Sequence, residues 1–473
     1  MRRVILLTLL LTTLLLSTSC ATNKEAELLN PSKPITVTLW HYYNGNTKEA
    51  FDRLVNEFNE TLGIEKGIVV DAQSQGDVIQ LATAVFEAAN QSIGAAPMPD
   101  IFASYADNAF RVHEMVGLVS LDTYFSESEL GAYRDEFLEE GRFITDDKFY
   151  IVPVAKSSEN LYVNKNHWET FAEESGFTEA DLSTWEGINK VAKTYYEKTG
   201  KGFFGVDANA NYILTASMQL GHELYLYSDA GTVTFNFKPE IAKLIWDHFY
   251  TPYIKGYFAK SGRFSSDDAK TGAVIAYTGS TAGAAYFPTA VALSEQESVE
   301  IEPLIMPYPH FEVGKPVAIQ QGAGMCISKS DEAHEYAAAL FLKWFTEIDQ
   351  NIQFAVSTGY FPVLDDALDQ TLMLEQVATG NVGSQAIVES IKATDHMFKN
   401  YELYNNKPFQ GSFEMRTLLD TQLINKIGHD LEMMTTKIAA GENRDSLIME
   451  LTSDEAFERW YEELLNEASL ILD

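Results

Sequence analysis

Ile35-Thr36-Val37-Thr38-Leu39-Trp40 alternates apolar residues with threonine. A period of two with β-branched residues predicts a strand that buries one face. Directly after it, Asn46 or Thr47 is placed to cap a helix that carries Phe51, Leu54, Val55 and Phe58 at helical spacing. Residues 67–72 predict a second strand and residues 78–89 a second helix. Pro97-Met98-Pro99-Asp100 then leads into the strand Ile101-Phe102-Ala103. A β-α-β-α-β opening predicts a parallel α/β lobe, and the fold class is therefore α/β.

The same alternation continues downstream. Residues 150–154 and 160–163 read as extended, with a serine-rich turn between them. Thr184 opens a helix through Trp185, Ile188, Val191 and Ala192. Residues 273–277 predict a compact buried strand, 304–309 an extended piece and 320–327 a glycine-rich extended stretch. Residues 331–353 predict one long helix. The last clear helix carries Phe457, Trp460, Tyr461, Leu464, Leu465 and Ala468.

Composition narrows the function classes. Of 473 residues, 46% are hydrophobic, enough for sizeable cores, and 34 basic against 68 acidic residues leave a net charge of -34. Such a surface has no electrostatic grip on nucleic acid or on anionic lipid. Two cysteines, Cys20 and Cys326, give no disulfide framework. Cys326 lies in the apolar run Gly324-Met325-Cys326-Ile327 and is expected to be buried and inert.

The first residues read as an address. Met1-Arg2-Arg3 precedes an apolar run over residues 4–16. That run is shorter than the roughly 20 residues a membrane span needs. Residues 1–19 are expected to be a signal peptide. Leu16-Ser17-Thr18-Ser19-Cys20 resembles the lipobox of bacterial lipoproteins, with Ser17 where the usual pattern has an aliphatic residue. Cys20 is the expected lipidation site, and residues 20–34 a tether.

Enzyme signatures are missing. There is no G-x-S-x-G, P-loop, H-E-x-x-H or strand-ending G-x-G-x-x-G, and His41, His113, His222, His310 and His334 lack ligand-spaced partners. Neither a metal nor a cofactor is expected. A secreted carbohydrate-active enzyme with a spatial pair of carboxylates stays open as a second class, because such pairs leave no sequence spacing. What stands out instead is a set of aromatic and small polar residues where strands end. Ligands in open α/β sheets bind beyond the carboxyl ends of strands. Tyr42, Tyr43 and Asn44 follow the first strand and suit the C–H faces and hydroxyls of a polyol or sugar; the alternative is that both tyrosines pack the next helix. In Tyr277-Thr278-Gly279-Ser280-Thr281, Ser280 or Thr281 caps a helix of small residues, either as an anion site or as an ordinary cap. Lys156-Ser157-Ser158-Glu159 offers hydroxyl donors, unless it is a solvated turn.

Taken in order, several motifs resemble extracellular solute-binding protein family 1, the receptors of ABC importers. They are residues 35–40, Pro99-Asp100-Ile101-Phe102, Ile151-Val152-Pro153-Val154 leading to Leu161-Tyr162-Val163-Asn164-Lys165, Thr184-Trp185, Gly322-Ala323-Gly324 and Thr358-Gly359-Tyr360-Phe361-Pro362-Val363. Within that family the chain is most similar to the glycerol-3-phosphate-binding branch, through Trp40-His41, Asn44-Gly45, Ser157-Ser158, residues 358–362 and Arg416. The resemblance implies that Ser157, Ser280, Gly322, Tyr360 and Arg416 hold a phosphate. The branch's glycerol-binding tyrosine, glutamate and two tryptophans fall near Val78, Ala106, Asp207 and Ala210, none of which matches. Tyr105, Asp107, Asn209, Asn211 and Tyr212 stand nearby as substitutes.

The resemblance further implies a two-lobed periplasmic-binding-protein fold of type II, with hinge strands and the ligand between the lobes. The first lobe is expected over 35–153 and 323–366, the second over 154–322 and 367–473. The implied protein is a binding protein and not an enzyme. It is a monomer held at the periplasmic or cell-surface side of the membrane by lipid alone. It would deliver a phosphorylated polyol or sugar to inner-membrane ABC permease subunits. A neutral sugar or oligosaccharide is the alternative ligand.

Overall fold

A computed structural model describes residues 28–143, 145–228, 232–262, 264–292, 297–380 and 384–472. The expected signal peptide and the expected lipidation site Cys20 lie outside these residues, as does the expected tether up to residue 27. In chain order the elements used below are β1 (Ile35–His41), α1 (Gly45–Glu60), β2 (Ile68–Ser74), α2 (Val78–Ala89), β3 (Ile101–Ser104), α3 (Ala106–Val116), β4 (Glu159–Asn164), α4 (Trp185–Thr199), β5 (Phe204–Val206), α5 (Asn209–Gln219), β6 (Ala276–Ser280), β7 (Pro303–Pro307), β8 (Val317–Ile319), β9 (Gly324–Ile327), α6 (Glu332–Phe345), α7 (Ile348–Thr358), α8 (Gln385–Asn400), β10 (Glu402–Tyr404), α9 (Ser412–Ala439) and α10 (Asp454–Leu472).

Two compact units share the chain. The first comprises residues up to Arg142, Lys148–Val154 and Ala323–Phe354; the second comprises Phe143–Asp147, Ala155–Gly322 and Ala355–Asp473. Residues 355–366, expected with the first lobe, therefore group with the second unit. The reason is local pairing: the Lys156 and Phe361 main chains exchange hydrogen bonds of 3.0 and 2.7 Å.

In the first unit the sheet order is β9-β3-β1-β2. β1 runs parallel to β2, with Ile35 opposite Ile68 and His41 opposite Ser74, and parallel to β3. β9 returns antiparallel, setting Cys326 opposite Phe102. The alternation of β1 does what it predicts: Val37 and Leu39 are fully buried. Thr38 spends its N–H and hydroxyl on Asp100 Oδ2, at 2.7 and 2.8 Å, which ties β1 to the turn before β3. Asp77 and Gln80 close a capping box on α2, each accepting from the other's backbone N–H at 2.9 Å. Phe51 and Phe58 of α1 meet Phe345, Phe341 and Trp344 of α6 edge-on at 5.1–5.4 Å. Each such buried ring stabilises the fold by about 1.5–3 kcal/mol. The single helix expected over 331–353 is two helices. Thr346 ends the first, donating its hydroxyl to Leu342 O at 2.9 Å while meeting the Tyr133 hydroxyl at 2.8 Å.

The second unit has the sheet order β7-β4-β6-β5. β4 is central and antiparallel to both β6 and β7; β5 is parallel to β6. Thr184 caps α4 through the Gly187 N–H at 3.1 Å, as its position predicts. A large aromatic core surrounds Trp185, Tyr212, Trp246 and Trp460, with the Trp185 indole N–H on Gln219 Oε1 and that of Trp460 on Gln422 Oε1. Among the described residues no helix is long and apolar enough to cross a membrane.

Candidate functional site

The carboxyl end of β1 decides the fate of the tyrosines expected there. His41 Nδ1 accepts the Tyr43 N–H at 3.1 Å, which folds the chain back over the strand end. Tyr43 consequently turns inward. It is 2% exposed and packs on His41, Phe51 and Phe354 at 5.1–5.5 Å. Of the two roles open to it, Tyr43 has the packing one, and this corrects its expected place among the ligand contacts. Tyr42 stays half-buried beside it, and Asn44 is exposed as the residue before α1.

His41 itself is fully enclosed. Burial lowers its pKa to about 4, with Asp52 opposing that shift and Lys48 adding to it. A histidine that is neutral in the fold but basic when unfolded contributes stability above its unfolded pKa near 6.5. That contribution is lost as pH falls through 4. The expected loss between pH 7 and 4 is about 3 kcal/mol. Urea midpoints measured across this range for wild type and His41→Asn should show a shallower acid slope in the variant. Parallel slopes would refute the assignment.

In the second unit four distant segments come together. The Ser157 and Gln321 main chains pair through hydrogen bonds of 3.0 and 2.8 Å. Thr281 donates its N–H to Ser158 O at 2.8 Å, beside Ser280. Lys156 pairs with Phe361, next to Tyr360, and the Gly359 backbone lies against Thr281 and Ala282. Gly322 closes on Ala155, and its carbonyl accepts the buried Lys156 Nζ at 2.8 Å. Ser157, Ser280, Gly322 and Tyr360 thus sit on neighbouring strands and turns of one unit.

The serines differ in what they have left to offer. Ser158 donates its hydroxyl to Ile319 O at 2.7 Å and is fully buried, so it fastens β8 and has no proton for a ligand; this corrects its expected role. Ser280 accepts the Ala282 N–H at 3.3 Å and keeps its own proton to give. The Ser157 hydroxyl has no protein partner among the described residues. Arg416 is half-buried on α9, one turn before Asp420. Asp420 takes the Ala210 N–H on Oδ1 at 3.3 Å and the Asn209 amide on its carbonyl at 2.9 Å, which brings α9 to the start of α5. Of the substitutes considered for the organic end, Asn211 reaches this region, whereas Tyr212 is spent in the core against Trp185 and Phe249.

Two charged residues here were not singled out from the sequence. Lys156 is 1% exposed, an ammonium held inside the unit beside Gly322. Glu159 is equally buried; its Oε1 accepts Asn211 Nδ2 at 2.9 Å and Gln321 Nε2 at 3.1 Å. Burial pushes Glu159 up to about 8; the two amides oppose this, while Asp207 and Asp420 add to it. Asp207 is also raised by burial, against the pull of Lys260 and the Ser265 N–H. Cys326 is fully buried on β9, and burial drives its thiol far from ionisation. Among the described residues no His, Cys, Asp and Glu cluster is arranged to hold a metal.

A family model described as bacterial extracellular solute-binding protein matches residues 53–380. The chain belongs to this family. A search of curated protein sequences gave no match. Solved structures agree on the fold. The cyclic α-maltosyl-1,6-maltose binding protein of Arthrobacter globiformis is 19% identical, with a TM-score of 0.63 over 91% of this chain and 99% of its own. UgpB of Mycobacterium tuberculosis, in complex with glycerophosphocholine, is 19% identical with a TM-score of 0.64 over 86% and 99%. The GacH receptor of Streptomyces glaucescens, solved unliganded and with acarbose, is 13% identical with a TM-score of 0.62 over 91% and 98%. The solute-binding protein described here therefore has the α/β periplasmic-binding-protein fold that the sequence led us to expect.

Proposed function

We propose that this solute-binding protein is the receptor of an ABC importer and captures a phosphorylated polyol or sugar of the glycerol-3-phosphate kind. The observation that carries the reading is that Ser157, Ser280, Gly322 and Tyr360 lie on segments paired within one unit, where the Gly322 carbonyl also accepts the buried Lys156 ammonium. Hydroxyl donors, a backbone at a glycine and an enclosed positive charge suit an anion. They matter more in a chain of net charge -34, whose own field repels one. The likeness to UgpB supports the same ligand class. A neutral oligosaccharide is the second reading. It is favoured by the half-buried ring of Tyr360 and by the sugar-binding relatives.

A thermal-shift screen separates the two. Ligand at 100 times its Kd stabilises the native state by about 2.7 kcal/mol. Glycerol-3-phosphate or glycerophosphocholine should raise Tm, and maltose or maltotriose should not. The reverse pattern would transfer the site to neutral sugars. The same reading has Cys20 acylated at the outer face of the membrane. Cys20→Ala should then move the folded protein from membrane to soluble fractions, and a wild type already soluble would defeat that part.

A further inference from the structure

We propose that Glu159 serves the ligand site of the second unit as a neutral carboxylic acid, donating its hydrogen bond to an anionic oxygen of the solute, so that capture is linked to the protonation of this one side chain. The inference rests on the organophosphate reading above and adds to it a specificity-determining group.

Strand geometry places the carboxyl among the two anion-binding serines. Glu159 stands directly opposite Ser280 in the β4–β6 pair. Opposed residues of an antiparallel pair share a face, with Cβ atoms about 5 Å apart. Ser157 lies two residues earlier on the same extended stretch, and alternate residues share a face. Gln321, opposite Ser157, confirms the arrangement by giving its amide to Glu159 Oε1 at 3.1 Å. Asn211 Nδ2 takes up the rest of that oxygen at 2.9 Å. The second oxygen, Oε2, is buried and has no hydrogen-bond partner among the described residues. The Tyr308 hydroxyl faces the same carboxyl without meeting hydrogen-bond geometry.

As a carboxylate, that oxygen would be an unpaired buried charge on the strand face shared with Ser157 and Ser280. As an acid, it is a donor, and an anionic ligand oxygen is a stronger acceptor for it than the neutral Tyr308 hydroxyl. The surroundings favour the acid. Asp207, at the end of β5, and Asp420, on α9, both oppose ionisation. Tyr162 on β4, Tyr277 on β6, Tyr308 after β7 and Tyr212 on α5 are held neutral by burial. Lys260 gives its ammonium to Val206 O and Asp207 O, and Lys156 gives its own to Gly322 O. Arg416 stands a turn away from Asp420 on α9. α8 meets the other face of β4, where Ser390 and Thr394 hold Asn160. The upward shift of Glu159 to about 8 agrees with this balance.

Glycerophosphocholine is the probe, because a phosphodiester keeps one charge throughout the neutral range. Titration calorimetry from pH 6 to 9 on the wild type should show constant affinity up to about pH 8 and a fall of roughly tenfold per unit above it. Binding at pH 8.5 should take up protons, seen as a heat that depends on the ionisation enthalpy of the buffer. E159Q retains an amide donor and should bind with no such pH dependence; its melting curve checks that it folds, and the proton uptake of the wild type needs no variant. Glycerophosphocholine binding without proton uptake, or an E159Q profile that falls as the wild type does, would overturn the role of Glu159 while leaving the organophosphate reading intact. A wild type that binds maltotriose and ignores glycerophosphocholine at pH 6.5 would overturn both.

Discussion

Replacing Arg416 by alanine should weaken glycerophosphocholine binding by roughly 30-fold or more, a loss of about 2–5 kcal/mol. Lysine should not restore it. A guanidinium presents two parallel N–H donors to two phosphate oxygens, whereas an ammonium is a point charge. The alternative for Arg416 is an ion pair on its own helix, with Glu414 or Asp420. Such a pair at a partly exposed site is worth at most about 1 kcal/mol of stability and leaves affinity alone. Asp420 is already engaged at the start of α5 through its carboxylate and its carbonyl. Titrations of wild type, Arg416→Ala and Arg416→Lys should be read beside apo melting temperatures. Weak binding with unchanged melting supports the anion role. Two variants that bind as the wild type does would leave the site to a neutral solute stacked on Tyr360.

The opening of the fold is legible because its signals are local. The alternation of residues 35–40 becomes β1, and the expected helix over residues 78–89 is α2 to the residue, with Asp77 supplying a cap that the sequence does carry. Elements fixed by distant partners are less legible. Nothing local in residues 331–353 announces that Thr346 will stop α6, because the Tyr133 hydroxyl it meets is 213 positions away. Nor does residue order show that the T-G-Y-F-P motif belongs with Ser157, since that follows from the pairing of Lys156 with Phe361.

The site divides along the same line. Residue type points to Ser157 and Ser280, the family resemblance adds Gly322 and Tyr360, and the chain brings their segments into one unit. Tyr43 and Ser158 fail for reasons of direction. Tyr43 is turned inward where its backbone N–H meets His41 Nδ1, and Ser158 where its hydroxyl donates to Ile319 O. Glu159 and Lys156 were hidden by composition. Among 68 acids and 34 bases a charged residue in a serine-rich turn reads as solvated, and only the strands laid over that turn bury it.

Gly322→Ala should strongly destabilise the second unit. Gly322 has φ +91, which L side chains rarely adopt, and a methyl there would lie 2.4 Å from Ala155 O and 3.0 Å from Lys156 Cα. Both are main-chain atoms and have no rotamer with which to yield. The left-handed conformation costs about 1–2 kcal/mol for a residue with a Cβ. Forcing a methyl into an occupied space adds about 1–3 kcal/mol. The expected loss is therefore roughly 2–5 kcal/mol, a large share of a typical domain's 5–15 kcal/mol. Gly176 provides the control, with φ +76 and nothing within 4 Å of the added methyl. Gly176→Ala should cost only the conformational part, about 1–2 kcal/mol. Urea midpoints for the two variants measure the difference, and equal losses would mean that close approach of the Ala155 backbone contributes nothing. Where Gly322→Ala still folds, affinity should fall as well. The carbonyl that accepts Lys156 Nζ at 2.8 Å belongs to the residue being displaced, so the buried ammonium and Ser157, the next residue along, would move with it.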